Sequence, residues 1–428
     1  MDANLAYTRH FDNKHPAAPR SRVSKGENPM QKSFTRRAAA LVVGLAIVAS
    51  ACGDDKTTSD TKAPEGTTAG TTPAGGTEAM AGVKCEGGVT LAFIGAQSGA
   101  NGNLGTNMVN GANIAIDEFN AANPDCQVTF DSQYDSQGDP AQAVPLADKI
   151  VNDAAIIGLI GPGFSGETKA TMPKFEAATL PMITPGATNA LLSTNGWTMF
   201  HRILANDDKQ APGVVNLIKN TIKGVKVGVI DDASDYGKGL ADSVRSGLAD
   251  LNTANAQIDP TAADYSAAIT SMKDAGVDTI FYGGYYAEAA KLVKQLRDAG
   301  VTATFVSGDG SLDQGFIDNA GASADGAYLT ATGAPSDISP EFQAAFNAKY
   351  GTDPALYSPE AYDCAKVFLA GIAAGNLDRA SLAAFVSAYD APGITKQISF
   401  SPTGEPNGDA VYYYIVKDGA IAAQGIVS

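Results

Sequence analysis

The sequence predicts an α/β fold of two similar lobes, each a parallel sheet with helices on both faces. Three observations carry this expectation. Short apolar runs ending in glycine, VTLAFIG (Val89 to Gly95) and IIGLIG (Ile156 to Gly161), alternate with helical spacings, as buried parallel strands alternate with crossover helices. The series restarts at KVGVIDD (Lys226 to Asp232) without close sequence repetition. Finally, IGPGFSGETKATMPKFEAATLPMITPGATNAL (Ile160 to Leu191) reads as strand, turn, helix, strand, turn. If its two strands are parallel neighbours, both turns open at one carboxyl edge, where ligands bind in open α/β sheets.

The elements follow in order. After VTLAFIG, the stretch GTNMVNGANIAIDEFNAAN has helical spacing, QVTFDSQ reads as a strand, PAQAVPLADKIVND as a helix and IIGLIG as a strand. GETKATMPKFEAAT is a helix, PMIT a strand and FHRI a further short strand. The second series runs KVGVIDD, the helix DYGKGLADSVRSGLADL, the strand AQID, the helix YSAAITSMKDAG and the strand TIFYGG. AEAAKLVKQLRDAG is a helix stopped by Gly300, with cations in its last turns where the macrodipole favours them. TFVSGDG and AYLTAT complete the second sheet. Beyond Pro335, SPEFQAAFNAKYG, SPEAYDCAKVFLAGIAAG and DRASLAAFVSAY read as three consecutive helices, followed by KQISFSP and AVYYYIVKDGAI. Three such helices do not extend a parallel sheet, so they are expected to pack back on the first lobe.

Charge and the N-terminus place the chain outside the cytoplasm. Residues 1–52 hold eight Lys/Arg and three Asp/Glu, a net +5, so the formal −16 of the chain leaves −21 on residues 53–428. Such a body repels nucleic acid and anionic lipid. KSFTRR (Lys32 to Arg37), then AAALVVGLAIVAS and Ala51-Cys52, form a basic region, an apolar region and a small-residue cleavage site, an export signal over 30–51. The apolar run is too short to span a bilayer. Ala49-Ser50-Ala51-Cys52 resembles a bacterial lipoprotein cleavage box, which implies a lipid on Cys52; an ordinary signal peptide with an incidental Cys is the alternative. Met30 is a second candidate start, which would make 1–29 a start-site artefact. Residues 52–84 lack core-forming side chains and are expected to be a disordered tether reaching about 30 Å.

Cys85 precedes the first strand and Cys126 the second, so a disulfide between them and two free thiols are both open. Cys364 reads as a buried small apolar residue. No His/Cys/carboxylate group has metal-site spacing, and no cofactor is expected. SGANGNLG (Ser98 to Gly105) has GxxGxxG spacing and not GxGxxG, a weak nucleotide signal. With no GxSxG elbow, and His201 the only histidine after Cys52, catalysis is not expected.

The residues suit a small zwitterion instead. Ser165 and Gly166 open a helix, whose free N–H groups favour a carboxylate, and Thr188 adds a hydroxyl from the neighbouring turn. Asp309 ends a strand of the second series, where it can meet an ammonium group, and Tyr236, Tyr285 and Tyr286 stand at strand ends of the same lobe. Taken singly, each is equally a helix cap, turn former or packed tyrosine; their joint placement at strand edges of both lobes favours a site.

Five blocks carry a family resemblance. FIGAQSGANGNLGTNMVNGANIAIDEFN, YDSQGDPAQAVPLADKIVND, ITPGATNALL, DYGKGLADSV and FYGGYYAEAAKLVKQLRDAG resemble, in order, the leucine/isoleucine/valine-binding proteins of bacterial ABC importers. The resemblance implies a type I periplasmic-binding-protein fold, two Rossmann-like lobes joined by three crossings. Lobe 1 would comprise 85–204 and 334–405, and lobe 2 would comprise 205–333 and 406–428. It further implies that Ser165 and Thr188 hold a ligand carboxylate and that the Gly186 carbonyl accepts from its ammonium. Tyr285 and Asp309 would complete the ammonium site, with Tyr236 lining the cleft. Three departures bear on the ligand: Asp309 stands where relatives often have Glu, Leu104 where they often place an aromatic ring, and Gly138 and Phe164 replace a cysteine pair that some carry. A monomeric, lipid-anchored protein is expected, handing an aliphatic or branched amino acid to an ABC permease and its ATPase. Binding of an amide, urea or aromatic acid is the alternative within the family, and a ligand-sensing receptor domain is the alternative outside it.

Overall fold

In the computed structural model, which describes residues 84–85, 88–408 and 410–427, two sheets carry helices on their faces. The upstream segment 1–29, the signal peptide 30–51, Cys52 and all but the last residue of the tether 52–84 lie outside the described residues.

The first sheet contains β1 (Val89–Gly95), β2 (Val128–Asp135), β3 (Ile156–Ile160), β4 (Met182–Thr184) and β5 (Phe200–Arg202), in the order β2-β1-β3-β4-β5 and parallel throughout. Helices α1 (Gly102–Ala122), α2 (Pro140–Asn152) and α3 (Ser165–Ala177) connect the first four strands. β1 and β3 are neighbours whose following helices run in opposite directions along the sheet, so a crevice opens at their carboxyl ends. β3 is buried along its whole length, as its uninterrupted apolar run requires.

The chain then enters α4 (Asp207–Asn216) and a second sheet of β6 (Val227–Asp231), β7 (Asn252–Gln257), β8 (Thr279–Gly283), β9 (Thr304–Ser307) and β10 (Tyr328–Ala331). α5 (Asp235–Leu248), α6 (Ser266–Ala275), α7 (Tyr286–Asp298) and α8 (Gln314–Ala320) connect these strands. α9 (Pro340–Tyr350), α10 (Ser358–Ala373) and α11 (Arg379–Ser387) return to the first sheet, α10 lying along α1 and both α10 and α11 contacting β3. A short ribbon of β11 (Asp390–Pro392) and β12 (Gln397–Ser399) precedes the last crossing. The hairpin β13 (Tyr412–Lys417) and β14 (Ala420–Ile426) then adds antiparallel to β10, completing the order β14-β13-β10-β9-β8-β6-β7.

Several elements differ from the sequence reading. α4 was not expected, because DDKQAPGVVN carries Pro212 and Gly213 inside the helix; Asn206 caps it by accepting from the Asp208 amide at 3.0 Å. The strand expected at AQID begins earlier, at Asn252, as an edge strand that alternates half-buried and exposed residues and so lacks an apolar run. AVYYYIVKDGAI is two strands turning at Asp418-Gly419.

α1 and α10 meet closely enough that one glycine becomes obligatory. A Cβ on Gly111 would stand 2.0 Å from the Ser358 carbonyl oxygen, while the Ser358 hydroxyl donates to the Asn107 carbonyl at 3.0 Å. Cys85 and Cys126 form a disulfide that closes a loop across the starts of β1 and β2, with a sequence separation of 41, and Cys364 is buried in α10. Two outcomes follow for denaturant unfolding. Gly111→Ala lowers stability by about 1–3 kcal/mol because two backbones must separate. Cys85→Ser with Cys126→Ser lowers it by about 2–4 kcal/mol, mainly by freeing the unfolded chain.

Candidate functional site

The two turns singled out in the sequence meet as expected, since β3 and β4 pair in parallel and their carboxyl ends lie side by side. Ser165 is the first residue of α3, and its Oγ accepts the Asn189 amide at 3.1 Å. Its hydroxyl proton therefore remains available to an incoming acceptor. Thr188 is fully buried, and its hydroxyl neighbours the Asp207 carboxyl, whose pKa it lowers. The turns are tied to each other and to the sheet: Thr184 Oγ1 donates to the Pro162 carbonyl at 2.7 Å and receives the Ala187 amide at 3.0 Å. Behind them Arg202, fully buried on β5, donates from Nη1 to the Ala187 and Asn189 carbonyls at 2.9 and 3.0 Å and pairs through Nη2 with Glu405 at 2.7 Å.

From the second sheet, Asp309 follows β9 and is fully buried. Tyr236 donates to its Oδ1 at 2.7 Å and accepts the Gly310 amide at 3.0 Å. The other oxygen receives the hydroxyl of Tyr357 at 2.5 Å. Burial raises the Asp309 carboxyl above the usual range, opposed by these phenol hydrogen bonds. The Gln210 side chain adds a third such interaction, which leaves part of the carboxylate's acceptor capacity for a ligand. Tyr285, half-buried at the start of α7, stacks on Phe164 with ring centroids 4.4 Å apart and leans on Tyr236 at 5.2 Å. Tyr286 beside it takes the Asn103 amide on its hydroxyl at 3.4 Å. Leu104 is fully buried in α1, one turn before Met108. A Cβ on Gly186 would lie 2.5 Å from the Met108 methyl, 2.8 Å from the Gly163 oxygen and 3.3 Å from the Tyr357 ring, so only glycine permits this approach.

Three contributors were not found in the sequence. Tyr357 precedes α10 with a left-handed φ of +70°, a conformation that costs an aromatic residue about 1–3 kcal/mol and clusters at functional sites. It holds that conformation with its ring against Gly186 and its hydroxyl on Asp309. ALYSPEAY shows a helix start but nothing that announces the backbone sign. Asp207 opens α4, and its amide donates to the Thr188 carbonyl at 2.9 Å. Its buried carboxyl neighbours the Thr188 hydroxyl, and burial followed by the charge of Asp309 pushes its pKa to about 8 against the lowering effect of Thr188 and Arg202. Arg202, the third, sits in the short run FHRI and carries no site-like signal.

The two sheets' elements touch on both rims of this cluster. On one rim Asn101 donates to Glu288 at 3.1 Å and accepts the Ala287 amide at 3.1 Å, and Asn103 donates to Asp313 at 2.9 Å. On the other, Lys169 pairs with Asp235 at 2.7 Å, and Asn189 donates to the Asp235 carbonyl. The lobes are therefore closed over the buried polar groups.

Comparison with known proteins agrees with this geometry. The family model described as periplasmic binding protein matches residues 88–420. The leucine-specific-binding protein of Salmonella typhimurium is 34% identical over 249 residues, 56% of this chain and 66% of that protein, so the match spans just under two thirds of its length. The Leu/Ile/Val-binding protein BraC3 of Rhizobium johnstonii is 29% identical over 344 residues, 78% of this chain and 93% of that protein. Among solved structures, LivJ of Streptococcus pneumoniae, a branched-chain amino acid transporter substrate-binding protein in complex with isoleucine, superposes with a TM-score of 0.74 at 28% identity, covering 79% of this chain and 99% of that one. With two lobes closed on buried polar groups at facing sheet edges, and a match over 88–420, the chain belongs to the periplasmic binding protein family.

Proposed function

We propose that the protein captures a free amino acid, aliphatic or branched, between its lobes and passes it to an ABC permease with its ATPase. One observation carries this reading: the buried carboxyls of Asp207 and Asp309 share one cluster with the Thr188 hydroxyl and with Ser165 at the start of α3, groups that suit the two ends of a zwitterion. The ligand carboxylate lies on Ser165, Thr188 and the α3 amides, where the helix dipole favours it. The ammonium lies on Asp309, with the Gly186 carbonyl and Tyr285 around it and Tyr236 lining the cleft. Asp207 adds a second carboxyl, which ionises beside the ligand ammonium and helps an Asp at 309 serve where a longer Glu is usual. Leu104 borders the ligand side chain in place of an aromatic ring, leaving room for branched aliphatic groups. The names of the relatives support the ligand class and the transport role. Cys52, in its cleavage-box context, anchors the monomeric protein by lipid to the outer face of the membrane.

Buried charge-assisted hydrogen bonds contribute about 1.5–3 kcal/mol each. In calorimetric titration with L-leucine or L-isoleucine, Asp309→Ala is expected to weaken binding by about 2 kcal/mol or more. Thr188→Val is expected to cost about 1–3 kcal/mol, because the ligand carboxylate loses a donor in a dry site. Normal affinity in Asp309→Ala would remove the ammonium assignment. Binding also carries a pH signature. Asp207, with a pKa of about 8 in the free protein, is mostly protonated at pH 7, whereas an adjacent ammonium favours its ionised form. Binding then releases protons near pH 7, and affinity rises as pH increases toward 8. Calorimetry in buffers of different ionisation enthalpy reads the released protons, and Asp207→Asn abolishes the release.

A further inference from the structure

All three connections between the sheets, residues 203–206, 332–339 and 400–411, border a second cavity of about 280 Å³. It lies apart from the cleft site, and none of Ser165, Thr188, Tyr236, Tyr285 or Asp309 lines it. Its walls include Leu204, Thr332, Glu360, Lys396 and Tyr412. Glu360, 1% exposed in the first turn of α10, accepts the Ala334 amide on Oε1 at 2.6 Å, while its Oε2 has no partner. Thr332, 7% exposed, likewise leaves Oγ1 without one. Burial lifts the Glu360 pKa to about 7, and burial lowers that of Lys396 while the charges of Glu360 and Asp363 oppose the fall. Although the two side chains attract each other, they are not within the 4.0 Å of an ion pair, and Asp363 is occupied by the Ile394 and Thr395 amides.

The wall of this cavity is largely apolar, from Ile203, Leu204, Ala205 and Ala334, but it also carries a lysine, a hydroxyl without a partner and an acid with one free oxygen, groups that an empty packing defect does not require. Its volume is just below the roughly 300–1,000 Å³ of sites for drug-sized ligands. We propose that this hinge cavity is a second ligand site, for a zwitterion the size of a small amino acid, with its ammonium on Glu360 and Thr332 and its carboxylate on Lys396. The inference does not rest on the identity of the cleft ligand. Because the connections that must bend form its walls, an occupant that fits one arrangement of them better biases the lobe angle.

The test is calorimetric titration of the full chain with glycine, L-alanine and β-alanine in turn. At least one is expected to bind the wild type, to retain binding in Asp309→Ala, and to bind Lys396→Met about tenfold more weakly or worse, as loss of a charged hydrogen bond implies. Thr332→Val, a near-isosteric change at a second wall, should weaken it also, and thermal melts of both variants establish that they are folded. Absence of binding by all three probes, binding unchanged in both Lys396→Met and Thr332→Val, or binding lost in Asp309→Ala would overturn the proposal, the last because it places the heat in the cleft.

Discussion

The buried carboxylate of Asp309 is the constraint around which the two lobes are arranged. Removing a carboxylate from water costs several kcal/mol unless hydrogen bonds replace its hydration. Here one oxygen is served by Tyr236 from the same sheet and the other by Tyr357 at the start of a helix packed on the opposite sheet's α1. The Tyr357 bond therefore forms only while the lobes are together, and it is what replaces water on that oxygen in the closed cleft. Tyr357 brings its phenol to Asp309 from a left-handed backbone, and its ring lies against Gly186, where Met108 and the Gly163 carbonyl already leave no room for a side chain.

The electrostatics give the cleft a direction. The acids Asp309 and Asp207 gather at one end of the cluster, Asp207 beside the Thr188 hydroxyl, while the N-terminus of α3 and the Ser165 hydroxyl offer donors. Arg202, the nearby cation, has Nη1 and Nη2 engaged with the 187–189 turn and Glu405. It shapes the turn from behind. A zwitterion would meet the two acids with its ammonium and the α3 N-terminus and Ser165 with its carboxylate. The rim contacts of Asn101, Asn103, Asn189 and Lys169 add modest polar links. Exposed pairs of this kind contribute little individually, which suits a closure that must reverse.

What the sequence revealed depended on how locally each feature is encoded. The β3–α3–β4 unit was legible because apolar runs, small-residue turns and helix spacing all lie within one continuous stretch, and parallel pairing then puts Ser165 and Thr188 together. Asp309 and Tyr236 were legible as strand-end residues and, through the family resemblance, as partners in one site. Tyr357 was not, because its role depends on a backbone sign that no neighbouring residue signals and on a partner 48 positions away. Asp207 was hidden by α4, whose internal Pro212 and Gly213 disguise the helix that it opens. Arg202 acts through backbone carbonyls of a distant turn, a relation with no periodicity to detect. The edge strand β7 was misplaced because a strand open to solvent needs no apolar run.

The two-lobed clamp, closed by a phenol from one side on a carboxylate from the other, is tested most directly by measuring the distance between spin labels placed one on each lobe. L-leucine is expected to shorten this distance in the wild type, and Tyr357→Phe to require about tenfold more ligand for the same shortening. An unchanged distance on adding ligand to the wild type, or identical titrations for the wild type and Tyr357→Phe, would contradict it.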